Sequence, residues 1–139
     1  MSAFMWAVVT ACIWGVVPVM EKVGLGNATP GVGVVVRSLG VVLGLVVFSF
    51  AWAPWGAVRM LGWPSIGLLV AGGFLASFVG QLAFYHALKS GAISQVTPVA
   101  GAYPLVAAVL GWLLLREPLT VFRGIGVALI ITGVMLLRK

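Results

Sequence analysis

The chain has 139 residues, of which 63% are hydrophobic and 7% charged, and its mean hydropathy is +1.23. So little polar surface excludes a soluble domain of this size; at ~20 apolar residues per crossing there is room for roughly four to six membrane helices and no extramembrane domain. The net charge of +6 comes from basic residues scattered singly at the ends of apolar runs, a pattern that suits contact with anionic lipid and control of orientation rather than nucleic acid.

Five apolar runs, separated by short breaks rich in Gly, Pro, Asn and Ser, predict an all-α integral membrane protein. One membrane domain, 1–139, carries five transmembrane helices at about 3–23, 31–51, 65–88, 93–115 and 121–137. The start, Met1 to Met5, lacks the basic residues of a signal peptide, and the first run is of spanning length, so it predicts a retained helix. Along that helix Thr10, Trp14, Val17 and Glu21 fall within roughly 40° of one line, a polar and aromatic stripe. Pro18 lies inside the run as a possible kink, and Cys12 reads as a small packing residue. The run ends in Glu21-Lys22 and then Gly24-Leu25-Gly26-Asn27, which suits a helix C-terminus.

Thr29 as N-cap and Pro30 as first residue open the second helix, which carries Arg37 about two turns in, roughly 10 Å from its start. The longest break contains Trp52, Pro54, Trp55, Arg59 and Trp63. A third helix follows Pro64-Ser65 and closes at Lys89-Ser90-Gly91; it carries Gln81 and Tyr85 one turn apart, and His86. The fourth carries Ser94, Gln95 and Thr97 near its start and Tyr103-Pro104 in its middle, where a proline removes one backbone hydrogen bond and kinks the chain. Pro98, nearer the start, should disturb the helix less. The turn Arg116-Glu117-Pro118-Leu119-Thr120 leads to the fifth helix. Glu117 reads as structural, neutralising Arg116 or Arg123 or capping that helix through its dipole.

Single crossings put the N-terminus, the Trp-rich break and the Arg116–Thr120 turn on one side, the N-side, and Gly24–Thr29, Ser90 and the C-terminus on the other, the C-side. Trp6, Trp52, Trp55, Trp63 and Trp112 then map to one interfacial belt, leaving Trp14 deep. Arg59, Arg116 and Arg123 lie on the N-side; Lys22, Lys89, Arg138 and Lys139 lie on the C-side, with Arg37 two turns in. The charge bias that would orient the chain is nearly absent, so insertion both ways is allowed. Small-residue spacings, Gly40 with Gly44, Gly73 with Ser77, Ala76 with Gly80 and Gly124 with Ala128, predict close helix packing.

The order of these features resembles the EamA-type domain of the drug/metabolite transporter superfamily over almost the whole chain. The likeness rests on Trp14-Gly15 and Lys22 in the first helix, Pro30 and Arg37 in the second, and Ala87-Leu88-Lys89 at the end of the third. It is completed by Pro104, the Arg116–Thr120 turn, Gly126 and Gly133. Most such proteins carry two five-helix domains as inverted repeats, and this chain carries one half of that ten-helix plan. The resemblance therefore implies that a second copy inserts upside down, giving an antiparallel, dual-topology homodimer; a parallel dimer and a heterodimer with a related half-protein are the competing assemblies.

No enzymatic signature accompanies this plan. Two acids, one His and one Cys are too few and too separated for a metal cage or a catalytic triad, and no cofactor is expected. Glu21 enters about one turn deep from the side on which Arg37 lies about two turns in, so the two side chains can meet and are natural partners where either alone would be expensive; such a pair either fixes helix packing or contacts the substrate. His86 reads as a packed or interfacial imidazole, although its chemistry would suit proton coupling. The candidate substrate-cavity residues are Trp14, Glu21, Lys22, Arg37, Gln81, Tyr85 and Tyr103, with Pro18 and Pro104 as hinge or kink positions and Arg116, Glu117 and Thr120 as a structural turn. The expected partners are membrane lipids, a small-molecule substrate and a second copy, in a prokaryotic plasma membrane. If Glu21 is paired, the exposed charge is Lys22 and the cavity favours anionic or zwitterionic metabolites; if Glu21 is free, cations and proton exchange are favoured. The rival reading is a non-transporting or lipid-translocating subunit that assembles with a related half-protein.

Overall fold

The computed structural model describes residues 2–52, 55–118 and 120–137, and these are helical with turns between them. Pro54, Leu119, Arg138 and Lys139 of the sequence reading lie outside the described residues, as do the side chains of Trp52, Trp55 and Arg59. The chain divides into two compact units, Met1–Ser90 and Gly91–Lys139.

In the first unit, α1 spans Ala3–Leu25, with the Ser2 hydroxyl accepting from the Met5 amide at 3.3 Å as N-cap. It ends at Gly26, whose φ of +43° is the left-handed conformation that glycine adopts at least cost. The second helix, α2, spans Pro30–Trp52. Thr29 caps it through a hydroxyl that accepts from the Val32 amide at 3.4 Å, and Pro30 occupies the first turn, where no amide donor is needed. A short α3, Trp55–Arg59, fills the Trp-rich break.

The third apolar run, Trp63–Ser90, is helical throughout but not uniform. It is built of α4, Trp63–Phe74, a π-helical turn, Leu75–Gly80, and α5, Gln81–Ser90. The wide turn accommodates an extra residue and shifts the phase of everything after it. Phe74 and Phe78, one turn apart across its start, stack with ring centroids 5.4 Å apart.

The core of this unit is small and local. Leu25, Val34, Tyr85 and Leu88 are its buried apolar side chains, drawn from α1, α2 and α5. Their meeting depends on Gly33. A Cβ at that position would lie 2.8 Å from Cε2 of Tyr85 and closer still to Cδ2 of Leu25, so the glycine permits the close approach of the three helices. By contrast Gly40, Gly44 and Gly73, which the small-residue spacings single out, face open space within the chain. Cys12 is exposed too, not packed in a core.

The second unit holds α6, Ile93–Ala100, α7, Tyr103–Leu115, and α8, Val121–Leu137. The sequence predicts one fourth helix kinked at Pro104; the structure instead interrupts it at Gly101–Ala102 and starts α7 with Pro104 in its first turn. The correction has a local cause. Gly101 donates to the Thr97 carbonyl at 2.7 Å and Ala102 to that of Val99 at 3.2 Å, a tightened last turn, after which the proline needs no donor of its own. At the far end Arg116 is left-handed, φ +52°, and the Glu117 amide reaches back to the Gly111 carbonyl at 3.1 Å. Thr120 then caps α8, accepting from the Arg123 amide at 3.3 Å.

Among the described residues four helical stretches, Phe4–Leu25, Pro30–Ala51, Trp63–Ser90 and Ile93–Leu115, are long and apolar enough to cross a membrane. The last, Val121–Leu137, has 17 residues, about 25 Å against a hydrocarbon core of about 30 Å. The five-run pattern is thus met by four helices of spanning length and one shorter apolar helix.

Candidate functional site: a charged cluster where three helices meet

Most covered positions of the first unit recur at helical spacing: Val17, Pro18, Glu21, Lys22 and Leu25 on α1, Pro30, Gly33, Val34, Arg37 and Ser38 on α2, and Gln81, Phe84, Tyr85 and Leu88 on α5. Each set is one face, and the faces meet near the end of α1, the start of α2 and the end of α5. That grouping agrees with the C-side assigned from sequence for Gly24–Thr29 and Ser90.

Glu21 sits at the centre of the polar part. Its Oε1 accepts from Nε of Arg37 at 3.1 Å and from the Gln81 amide nitrogen at 3.0 Å. The Tyr85 phenol adjoins both the carboxylate and the Gln81 amide, while its ring is buried against Gly33. The pair is well shielded: the Glu21 side chain is 11% exposed and that of Arg37 32%. Unpaired, each charge would cost about 2.5–3.5 kcal/mol near a membrane helix centre. Paired, and with the carboxylate oxygen shared by an amide donor, the cluster holds α1, α2 and α5 together through one atom. Nη1 of Arg37 is buried and has no hydrogen-bond partner among the described residues.

Two lysines tie the helix ends reciprocally. Lys22 on α1 donates from Nζ to the Leu88 carbonyl at 2.6 Å, and Lys89 on α5 donates to the Gly26 carbonyl at 3.0 Å. The last carbonyls of a helix lack intrahelical partners and carry partial negative charge. Two such ends side by side repel, and a cation from each placed on the other removes the repulsion. Lys22 is therefore a half-buried strap on a backbone carbonyl, where the sequence predicts the exposed charge of a cavity.

Of the seven cavity candidates the structure brings together Glu21, Arg37, Gln81 and Tyr85, with Lys22 one residue from Glu21 and bound to the neighbouring helix end. Trp14 lies two turns up α1 from Glu21 and is 58% exposed on the surface of the chain. Tyr103 opens α7 in the second unit and is exposed there. Pro18 lies in the covered face of an α1 that runs unbroken through it. His86 is exposed, its carbonyl accepting from the Ser90 hydroxyl at 3.0 Å. The sequence predicts neither the close contact at Gly33 nor the π-helical turn, Leu75–Gly80, that phases Gln81.

In the second unit Glu117 pairs with Arg123 at 3.5 Å, both side chains more than half exposed, and Arg123 also donates to the Pro118 carbonyl at 3.0 Å. Of the two partners considered for Glu117 the structure selects Arg123. Its carboxyl lies over Gly111, where a Cβ would be 3.6 Å from Cδ.

The profile of the EamA-like transporter family matches residues 1–139. A protein of a Sinorhizobium species, described as an uncharacterized transporter in the cobO 3′ region, is 28% identical over 135 residues, which cover 95% of this chain and 93% of that protein. An uncharacterized protein of Methanocaldococcus jannaschii is 41% identical over 59 residues, covering 42% of this chain and 43% of that protein. No solved structure matches the chain at a significant level.

Proposed function

Because the chain belongs to the EamA-like transporter family, we propose that this integral membrane protein carries a small solute by alternating access, acting as an antiparallel homodimer of two oppositely inserted copies. The supporting observation is the Glu21–Arg37–Gln81 cluster, which gathers the polar chemistry of the first unit near one end of its helices. Two inverted copies put one such cluster near each face of the membrane, and exchange of shape between identical subunits then supplies both the inward-open and the outward-open state.

Three further points support this reading. Basic residues are nearly balanced between the two sides, so neither orientation is favoured strongly. The match to the Sinorhizobium relative covers 93% of that protein, which is therefore of one-domain length itself. An odd number of crossings inverts the second copy of a fused pair, so a separate copy must insert upside down to rebuild that arrangement; α8 supplies the fifth crossing if it tilts little or the bilayer thins by a few ångströms around it, an adjustment of modest cost. The membrane in this proposal is the plasma membrane of a prokaryote. With Oε1 of Glu21 engaged by Arg37 and Gln81, and with Lys22 held on the Leu88 carbonyl, the preference for anionic or zwitterionic solutes over cation–proton exchange rests on Arg37.

One observation favours a second reading. A recess on the later half of α2, lined by Val42, Leu45, Val46, Ser49 and Phe50, is apolar and contains none of the cluster residues, which suits a non-transporting or lipid-translocating subunit that assembles with a related half-protein. Topology separates assembly by inverted copies from the alternatives. A cysteine appended to the C-terminus of a Cys12→Ser background should be labelled from both sides of the membrane in comparable amounts. Labelling of all copies from one side contradicts the antiparallel homodimer.

A further inference from the structure

Resting on the transporter reading, we propose that Arg37 binds the oxyanion of the solute, a carboxylate or phosphate group, on the edge of its guanidinium turned away from Glu21. A guanidinium presents two edges that can each take an oxyanion in a fork of parallel hydrogen bonds: a side edge that includes Nε, and an end edge formed by Nη1 and Nη2. In this protein Nε is committed to Oε1 of Glu21 at 3.1 Å, so Glu21 holds the side edge. Nη1 belongs to the other edge. It is buried and has no partner among the described residues, and a buried donor left unpaired is the exception in folded proteins.

The charge around it selects the sign of the ligand. Glu21, Lys22 and Arg37 together carry one net positive charge, and Glu21 is the one acid among residues 1–90 of the sequence. Its Oε1 already accepts from both Arg37 and Gln81, so a cationic solute would have to displace a guanidinium and an amide to reach that oxygen. An oxyanion supplies the missing acceptor without displacing either donor from Oε1 of Glu21. Nη1 is closed off in this conformation, so the oxyanion reaches it as α1, α2 and α5 part, the movement that alternating access demands.

Arg37 stands seven residues into α2, roughly 10 Å from its start, a depth within reach of lipid headgroups as well as of a soluble solute. The test therefore has an arm for each source. Full-length protein in delipidated maltoside micelles is titrated with sodium acetate, with inorganic phosphate and with tetramethylammonium chloride, against sodium chloride at matched ionic strength, and thermal unfolding is followed. A second set of micelles is doped with phosphatidylglycerol. The expected result is a saturable rise in Tm with the two oxyanions and none with the cation. Arg37→Lys, which keeps the charge and loses the fork, should weaken apparent oxyanion affinity about tenfold; Glu21→Gln, which removes the nearest negative charge, should tighten it. A rise with phosphatidylglycerol that abolishes further response to acetate identifies the lipid headgroup as the source of the same chemistry. No saturable response to either oxyanion or to the lipid, or an equal response in Arg37→Lys, overturns the proposal. The comparison of oxyanion with cation on the unmodified chain decides the matter even if neither variant folds. Flux of a cationic solute without oxyanion binding would sink this assignment and leave the transporter reading standing; oxyanion binding with no solute flux would do the reverse.

Discussion

The chain contains two acids and pairs each with an arginine, in settings that differ in nearly every physical respect. Glu21–Arg37 joins two helices at 3.1 Å, its side chains 11% and 32% exposed, and the same carboxylate oxygen takes a hydrogen bond from a third helix segment. Glu117–Arg123 joins a turn to the helix that follows it at 3.5 Å, with both side chains more than half exposed. The first pair links α1, α2 and α5 across sequence separations of 16 and 60 residues; the second spans six. A pair of the second kind is worth little, about 0–1 kcal/mol, and serves to shape a turn already set by the left-handed Arg116 and the Thr120 cap. The lesson is that charge count alone says nothing about role. Depth, shielding and the number of segments joined separate a candidate site from a surface contact.

The largest effect on this contrast is expected from Gly33→Ala, which touches no charge. The added methyl meets Tyr85 and Leu25, so α2 must move off α5, at the upper end of the ~1–3 kcal/mol that overpacking costs. Chemical or thermal unfolding in detergent should show a clear loss, whereas Gly40→Ala, with open space around its Cβ position, should leave the unfolding of the unassembled chain unchanged.

Next comes Glu21→Gln. Removing one partner of a fully buried pair costs about 3–5 kcal/mol; with a third of the Arg37 side chain exposed, about 1–2 kcal/mol is expected. Glu117→Gln measured beside it should change stability by less than about 0.5 kcal/mol. Equal losses in the two variants would erase the distinction drawn between the pairs.

The lysine straps refine the comparison within the first unit. Lys22→Gln, which breaks the part-buried bond to the Leu88 carbonyl, should cost about 1–2 kcal/mol, since bonds to charged groups are the stronger ones. Lys89→Gln, at the exposed bond to the Gly26 carbonyl, should cost less than about 1 kcal/mol. A small effect of opposite sign is expected from Arg116→Gly: relief of the left-handed backbone at φ +52° should raise stability by about 0.5–1 kcal/mol.

Much of this was legible from the residues. The limits of the apolar runs agree with the helices within about two residues, because Thr29-Pro30, Pro64 and Thr120 mark helix starts by well-understood capping chemistry. The Glu21–Arg37 pair was legible for a different reason: charges about one and two turns in from the same side of apolar runs lower their cost by meeting, although snorkelling of Glu21 into the headgroups was the open alternative. The phase shift at Leu75–Gly80 was not legible, since nearly every residue from Ile66 to Val79 is apolar or small and no polar rhythm exists to register an extra residue. Gly33 escaped because its contact is with an aromatic ring on another helix, and a search for small residues four apart does not find it. The partner of Lys22 escaped because a backbone carbonyl leaves no trace in the choice of side chains. Pro104 stands mid-run in the sequence, and the run is interrupted directly before it, at Gly101–Ala102, where the Ala102 amide closes a tighter turn on the Val99 carbonyl that no side chain announces.

The central claim is that the Glu21–Arg37 cluster serves solute movement and the Glu117–Arg123 pair does not. It is tested most directly by solute counterflow in proteoliposomes, with a panel of radiolabelled carboxylates and organophosphates, comparing unmodified protein with Arg37→Lys and Glu117→Gln at matched amounts of folded protein. The account predicts loss of most flux in Arg37→Lys and unmodified flux in Glu117→Gln. Equal flux in all three proteins would contradict it.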